Sequence, residues 1–134
     1  MNGTVVVDTD VISFLMKGDP KADWYQPYLK GKRLMVCFVT IAELYFGAFC
    51  AKWGPRRLAE LQQILRNYIV YPFDEPLCVT WAKVRSEDKQ RGIGIGHSDA
   101  WIAATALLYQ IPLVTNNAKH FVWIDGLQVI SATC

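Results

Sequence analysis

The sequence has few histidines and no closely spaced cysteines. Only two histidines occur among its 134 residues, and its four cysteines contain no Cys-x-x-Cys pair. Because structural zinc sites and dithiol redox centres need such ligands close together, the sequence argues against both. We predict instead that the cysteines are reduced thiols in the core: Cys37, Cys50, Cys78 and Cys134.

Strong charge and membrane signals are also lacking. The formal net charge of +2 is too small to identify a nucleic-acid-binding protein by itself. Residues 1–4 contain no positive region of a signal peptide, and the apolar run at residues 34–51 is interrupted by Glu43. We therefore expect a cytoplasmic protein without a membrane span.

No internal repeat, low-complexity tract or long linker divides the chain. Its length and its 52% of hydrophobic residues suit a single domain over residues 1–134. Apolar strand-like runs alternate with segments of helical spacing, which predicts an α/β fold with a mostly parallel sheet covered by helices on both faces. The predicted strands lie at residues 4–7, 34–39, 69–73, 113–115 and 127–130.

Three acidic residues stand where strands end or helices begin. Asp8 follows the apolar run Val5-Val6-Val7, and Glu43 and Asp99 lie near the starts of apolar helix-like segments. Because the carboxyl ends of parallel strands share one edge of the sheet, we expect the three carboxylates to converge there. Such a cluster needs a cation, and oxygen ligands favour Mg²⁺ or Mn²⁺. A phosphate ester hydrolysed by metal-activated water is the expected substrate class.

Two of these acids also have a purely structural explanation. Glu43 stands three residues after Thr40, the spacing of a capping box, and Asp99 could simply complement a helix dipole. Asp8 is harder to explain in this way. Asp10 lies two residues further on, and two neighbouring carboxylates repel each other unless a cation or a proton lies between them.

Four segments resemble, in order and spacing, the successive motifs of PIN-domain ribonucleases, and most of all those of VapC toxins. They cover residues 5–12, 40–48, 98–104 and 113–121. The resemblance implies a three-layer PIN-like fold with about five strands and a Mg²⁺- or Mn²⁺-dependent endoribonuclease that cuts tRNA or another structured RNA. It also implies a homodimer and a cognate VapB-type antitoxin that occupies the catalytic groove.

The same resemblance implies roles for individual residues. Asp8, Glu43 and Asp99 match the metal-binding acids of the family, and Thr115 matches the hydroxyl residue that lies beside them. The family's fourth acid is missing here, where the sequence offers Asn117 or His120 instead. A neutral ligand in that place favours a one-metal mechanism or weak metal affinity. Asp10 replaces a common asparagine, and its role is open.

Two other functions fit parts of the pattern. The segment Asp8-Thr9-Asp10 resembles the first motif of haloacid-dehalogenase-type phosphatases, and the fold could also serve a non-catalytic RNA- or protein-binding module. Three basic clusters are either solvated faces or contacts to RNA phosphates, and in one of them a tryptophan could stack on a base. These clusters comprise Lys30, Lys32 and Arg33; Lys52, Trp53, Arg56 and Arg57; and Lys83, Arg85, Lys89 and Arg91.

Overall fold

The computed structural model describes residues 3–132, which form a five-stranded sheet and six α-helices. The strands are β1 (Thr4–Val7), β2 (Arg33–Cys37), β3 (Ile69–Tyr71), β4 (Leu113–Val114) and β5 (Val129–Ile130). The helices are α1 (Thr9–Lys17), α2 (Ala22–Leu29), α3 (Phe38–Cys50), α4 (Pro55–Leu65), α5 (Glu75–Arg91) and α6 (His97–Tyr109). A short 3₁₀ turn covers Ala118–His120.

All strand pairings are parallel, and the strand order is β3-β2-β1-β4-β5. The central strand β1 is buried at every residue, because its valines are apolar on both faces of the sheet. Val6 lies in register with Met35 of β2 and Leu113 of β4. The carboxyl ends of β1, β2 and β4 therefore meet at one edge, and the residues that follow them face one another there.

Helices cover both faces of the sheet, as predicted. Side chains alternate along a strand, so Val6 joins one core with residues of α5 and α6, whereas Val5 and Val7 join the other with residues of α1, α2 and α4. Helix α3 lies at the boundary, with Phe38 packed against the first core and Leu44 within the second. The three-layer fold and its parallel sheet are confirmed.

The junction between β2 and α3 differs from the prediction. The strand was expected to reach residue 39 and the helix to begin at Thr40, but β2 ends at Cys37 and α3 begins at Phe38. Cys37 caps the helix in an extended conformation, and Phe38 and Val39 pack as helical residues. An apolar run fits either conformation, so the sequence alone could not place this boundary. The predicted strands at 69–73, 113–115 and 127–130 are likewise shorter in the structure.

The prediction of four core thiols is wrong for two of them. Cys37 is buried, but Cys50 ends α3 on its solvent side and Cys78 lies on the exposed face of α5. Cys134 lies outside the described residues. Within residues 3–132, no helix is both long enough and apolar enough to cross a membrane.

Candidate active site

Asp8 lies between β1 and α1, where it is the N-cap of the helix. Its Oδ1 accepts a hydrogen bond from the Thr9 amide over 2.7 Å, and its Oδ2 accepts one from the Thr115 hydroxyl over 2.7 Å. The side chain is only 5% exposed. Burial, followed by repulsion from Asp10 and Asp99, raises the pKa of Asp8 to about 7 despite these hydrogen bonds. The carboxylate is therefore held by two hydrogen bonds, and the charges that raise its pKa are those of two other acids.

Asp10 lies in the first turn of α1 and faces the segment that follows β4. Its Oδ1 accepts a hydrogen bond from the Val11 amide over 2.7 Å. Its Oδ2 accepts one from the Asn116 amide over 3.2 Å and one from Asn117 Nδ2 over 2.9 Å. Burial, together with the charge of Asp99, raises the pKa of Asp10 above its ordinary value. Asp10 thus ties two βα junctions together while adding negative charge to the site.

Asp99 lies in the first turn of α6, as predicted. Its Oδ2 is 3.1 Å from His120 Nδ1, a hydrogen bond that becomes an ion pair when the histidine is protonated. Its charge acts on both Asp8 and Asp10, which places the three carboxylates within electrostatic range of one another. The predicted convergence therefore holds for Asp8 and Asp99, with Asp10 as an additional member.

Glu43 lies in the second turn of α3, the helix that follows β2. The capping-box explanation is wrong, because α3 begins at Phe38 and Thr40 is a buried residue inside the helix. The Thr9 hydroxyl donates a hydrogen bond to Glu43 Oε1 over 2.7 Å and contacts Thr40 Oγ1 at 2.9 Å. Glu43 therefore meets the site through Thr9, which follows Asp8 directly.

Thr115 and Asn117 form hydrogen bonds to two of the acids. Thr115 is fully buried, donates to Asp8 and accepts a hydrogen bond from the Asn117 amide over 3.0 Å. The Asn117 side chain is directed at Asp10, whereas His120 is directed at Asp99. The Tyr25 hydroxyl supports the same segment from α2, donating to Asn116 Oδ1 over 2.6 Å. The two candidates for the missing fourth acid thus contact two different carboxylates.

The donor set suits a hard cation. Asp8, Asp10 and Asp99 lie within electrostatic range of one another, and carboxylate oxygens are ligands that favour Mg²⁺ or Mn²⁺. Within residues 3–132, however, no three ligating side chains already surround one point. The residues therefore fit the ion chemically, and some side-chain movement has to accompany its binding.

Two cavities flank the acids. One of about 470 Å³ lies on the Glu43 side and includes Lys17, Trp53 and Arg57 in its wall. The other, of about 260 Å³, lies on the Asp99 side between residues 93–96 and the pair Lys119 and His120. Both cavities combine cationic side chains with the acidic edge.

Sequence reasoning missed the contributions of Thr9, Thr40 and Tyr25. Thr9 and Thr40 each follow the end of a strand by a few residues, and the two strands are parallel neighbours. This pattern could have indicated their contact. Tyr25 carried no such signal, because its partner segment lies about 90 residues away in the sequence.

The fold and the site define a class, an α/β protein with carboxylates gathered at the carboxyl edge of a parallel sheet. Residues 5–126 match the family model of the PIN domain. The chain belongs to the PIN-domain family, among its VapC ribonucleases, and the resemblance inferred from the motifs is confirmed.

Three similar proteins illustrate the relationship. The chain is 35% identical to ribonuclease VapC1 of Haemophilus influenzae strain R2866 over 126 residues, or 92% of this chain and 93% of the relative. It is 26% identical to the tRNA(fMet)-specific endonuclease VapC of Shigella flexneri over 123 residues, with 92% and 93% coverage. It also superposes on a chain of VapBC-1 from nontypeable Haemophilus influenzae with a TM-score of 0.82 and 32% identity, covering 96% of this chain and 98% of that chain.

Proposed function

We propose that the protein is a Mg²⁺- or Mn²⁺-dependent endoribonuclease that cuts tRNA and acts as the toxin of a toxin–antitoxin pair. The observation that carries this proposal is the buried Asp8 carboxylate, held rigidly beside Asp10 and Asp99. Similarity to a ribonuclease VapC1 and to a tRNA-specific VapC endonuclease supports the activity and the substrate. We treat residues 1–134 as one domain.

Asp8, Asp99 and Glu43 are the residues that we expect to hold the ion. When bound, Mg²⁺ or Mn²⁺ supplies activation of the attacking water and neutralisation of the charge that develops on the phosphate. Asp8 is already oriented by the Thr9 amide and the Thr115 hydroxyl, so it needs little rearrangement. Glu43 is held by the Thr9 hydroxyl and has to exchange that bond or share it.

The surrounding side chains position Asp8, Asp10 and Asp99. Thr115 fixes Asp8, Asn117 fixes Asp10, and His120 contacts Asp99, so each carboxylate has a partner that limits its rotation. Partners of this kind typically contribute about 10- to 100-fold to metal affinity or activity. We therefore assign Thr115 and Asn117 to the catalytic site, as residues that orient its acids.

The partners follow from the same family. Similarity to a VapBC complex supports a VapB-type antitoxin as a partner, and we expect it to cover the catalytic groove. We also expect a homodimer, for which the exposed Phe46 and Phe49 of α3 offer apolar surface. We predict a cytoplasmic location, because an enzyme that cuts tRNA would work in the cytoplasm.

The alternatives are weaker. A phosphatase that uses Asp8 as nucleophile conflicts with the family match. Measuring RNA cleavage tests the other alternative, a binding module without catalytic activity.

The decisive assay uses end-labelled total tRNA and the purified chain, with Mg²⁺ or Mn²⁺ and with a chelator. We expect discrete cuts that require the metal and disappear in both Asp8→Asn and Asp99→Asn. These substitutions keep the size of the side chain and remove its charge. Circular dichroism checks that both variants are folded. Uncut RNA with the wild-type chain, or equal cleavage by wild type and variants, would contradict the proposal.

A further inference from the structure

The larger of the two cavities begins inside the active site. Thr9 and Glu43 form its inner end, and the Thr9 amide is the group that donates to Asp8. Its outer end is formed by Lys17, Trp53 and Arg57. At about 470 Å³, the cavity is within the usual size range of small-ligand sites. A group bound here would therefore lie beside Thr9 and Glu43 of the candidate active site.

The outer end carries two positive charges without acidic partners. The Arg57 guanidinium lies over the Trp53 ring, 4.0 Å from its centroid. Neither Arg57 nor Lys17 forms an ion pair within the described part of the chain, whereas the adjacent Arg56 pairs with Glu60. Stacking on Trp53 fixes the plane of the guanidinium and leaves its donors to a ligand.

Most of the remaining wall is apolar. Leu44, Gly47 and Ala48 of α3 and Ala51 at its C-cap line one side, where the small residues leave room for a flat group. A planar ligand can stack on a fixed guanidinium, and a neighbouring anion can reach the lysine. Nucleotides of single-stranded RNA combine both features.

We propose that this cavity binds an unpaired nucleobase next to the scissile phosphate, stacked on Arg57, with Lys17 contacting the adjoining phosphate. The inference rests on the proposed ribonuclease function and adds a subsite to it. A paired base is stacked within its helix and cannot enter the cavity. The pair of unpartnered cations beside the catalytic acids favours a phosphodiester strand as the occupant.

The test is steady-state cleavage of the RNA that the wild-type chain cuts, comparing Arg57→Ala, Arg57→Lys and Arg56→Ala. Arg57→Ala should raise KM about tenfold and change kcat by less than about twofold, because base stacking contributes to binding rather than to the chemical step. Arg57→Lys should recover only part of the loss, since lysine keeps the charge but not the plane. Arg56→Ala is the matched control, because its side chain is 94% exposed and faces Glu60.

An altered RNA provides the complementary measurement. Removing the base from the nucleotide on either side of the cut should, for one of the two positions, cost the wild type about tenfold in kcat/KM and cost Arg57→Ala much less, since the two changes remove the same contact.

The outcomes separate this inference from the function on which it rests. If the wild type cuts no RNA, the proposed function fails. If it cuts RNA but Arg57→Ala behaves like Arg56→Ala, only the subsite is overturned. The subsite is also overturned if Arg57→Ala leaves KM unchanged and weakens binding of a protein partner, because the cavity then serves that partner.

Discussion

Asp8 and Asp88 are equally buried, each with 5% of its surface exposed, but their surroundings differ. Asp88 Oδ1 accepts hydrogen bonds from the Gly94 and Ile95 amides, and its Oδ2 pairs with Arg85 over 3.3 Å. Asp8 accepts one amide and one hydroxyl, and its charged neighbours are acids.

The difference separates a structural charge from a functional one. Asp88 has a cation within the protein, and its two amide bonds hold the turn at Gly94, whose φ of +86° favours glycine. The charges of the described residues that shift the pKa of Asp8 are those of Asp10 and Asp99, so a proton or a bound cation has to balance its charge. A buried carboxylate whose charged neighbours are other acids is therefore a better indicator of function than burial alone.

The largest expected difference between the two aspartates is in catalysis. Asp8→Asn should reduce RNA cleavage by at least about a hundredfold, because even residues that only orient metal ligands contribute up to that factor. Asp88→Asn should keep most of the rate at a temperature where the variant is folded. Single-turnover cleavage at saturating Mn²⁺ measures both, and a similar loss in the two variants would contradict the distinction.

The pH dependence of stability should separate them next. The pKa of Asp8 rises from 3.8 to about 7 on folding, so the folded chain binds the extra proton. The stabilisation of the folded chain by this bound proton is fully present below pH 3.8 and is lost as the pH rises through about 7. From pH 5 to pH 8 the metal-free chain should lose about 2 to 3 kcal/mol of its free energy of unfolding.

Urea unfolding with a chelator at several pH values measures this loss. Asp8→Asn should flatten the curve over this range, and the difference between the curves isolates Asp8 from the two histidines. Identical curves would show that the carboxyl does not titrate there.

Asp88→Asn and Asp8→Asn should change the stability of the metal-free chain at pH 8 in opposite directions. Asp88→Asn keeps an oxygen for the two amides but turns an NH₂ group towards Arg85, which loses its carboxylate. We expect a loss of about 2 kcal/mol in the free energy of unfolding, as for hydrogen bonds to charged groups. Asp8→Asn should instead stabilise the metal-free chain at pH 8, and destabilisation by both would remove the contrast.

The smallest expected effect concerns Thr115. Thr115→Val removes the hydroxyl that orients Asp8 and should weaken Mn²⁺ binding about tenfold. Thr115→Ser keeps the hydroxyl and is the matched control. Isothermal titration calorimetry with Mn²⁺ compares the two variants. Equal affinities would show that the hydrogen bond from Thr115 does not orient Asp8 for the metal.

The sequence predicted the parts of the molecule that depend on local pattern. Strand β1 was placed correctly because an all-valine run ending on an acid fits a buried parallel strand. Asp8 and Asp99 were brought to one edge by the same argument. The start of α3 was missed because its apolar residues fit a strand equally well.

The remaining features depend on contacts between distant segments. The bond from Thr9 to Glu43 and that from Asn117 to Asp10 join residues 34 and 107 positions apart, and no local pattern contains them. Similarly, the exposure of Cys50 and Cys78 depends on which helix face turns outward, which cysteine itself does not indicate.

The most direct test of the central claim is the thermal stability of wild type, Asp8→Asn and Asp88→Asn with and without Mn²⁺ at pH 8. If the acids around Asp8 form a cation site, Mn²⁺ should raise the Tm of the wild type and of Asp88→Asn, since a ligand that binds only the folded state stabilises it. It should leave the Tm of Asp8→Asn nearly unchanged. An equal rise in all three proteins, or no rise in the wild type, would contradict the account.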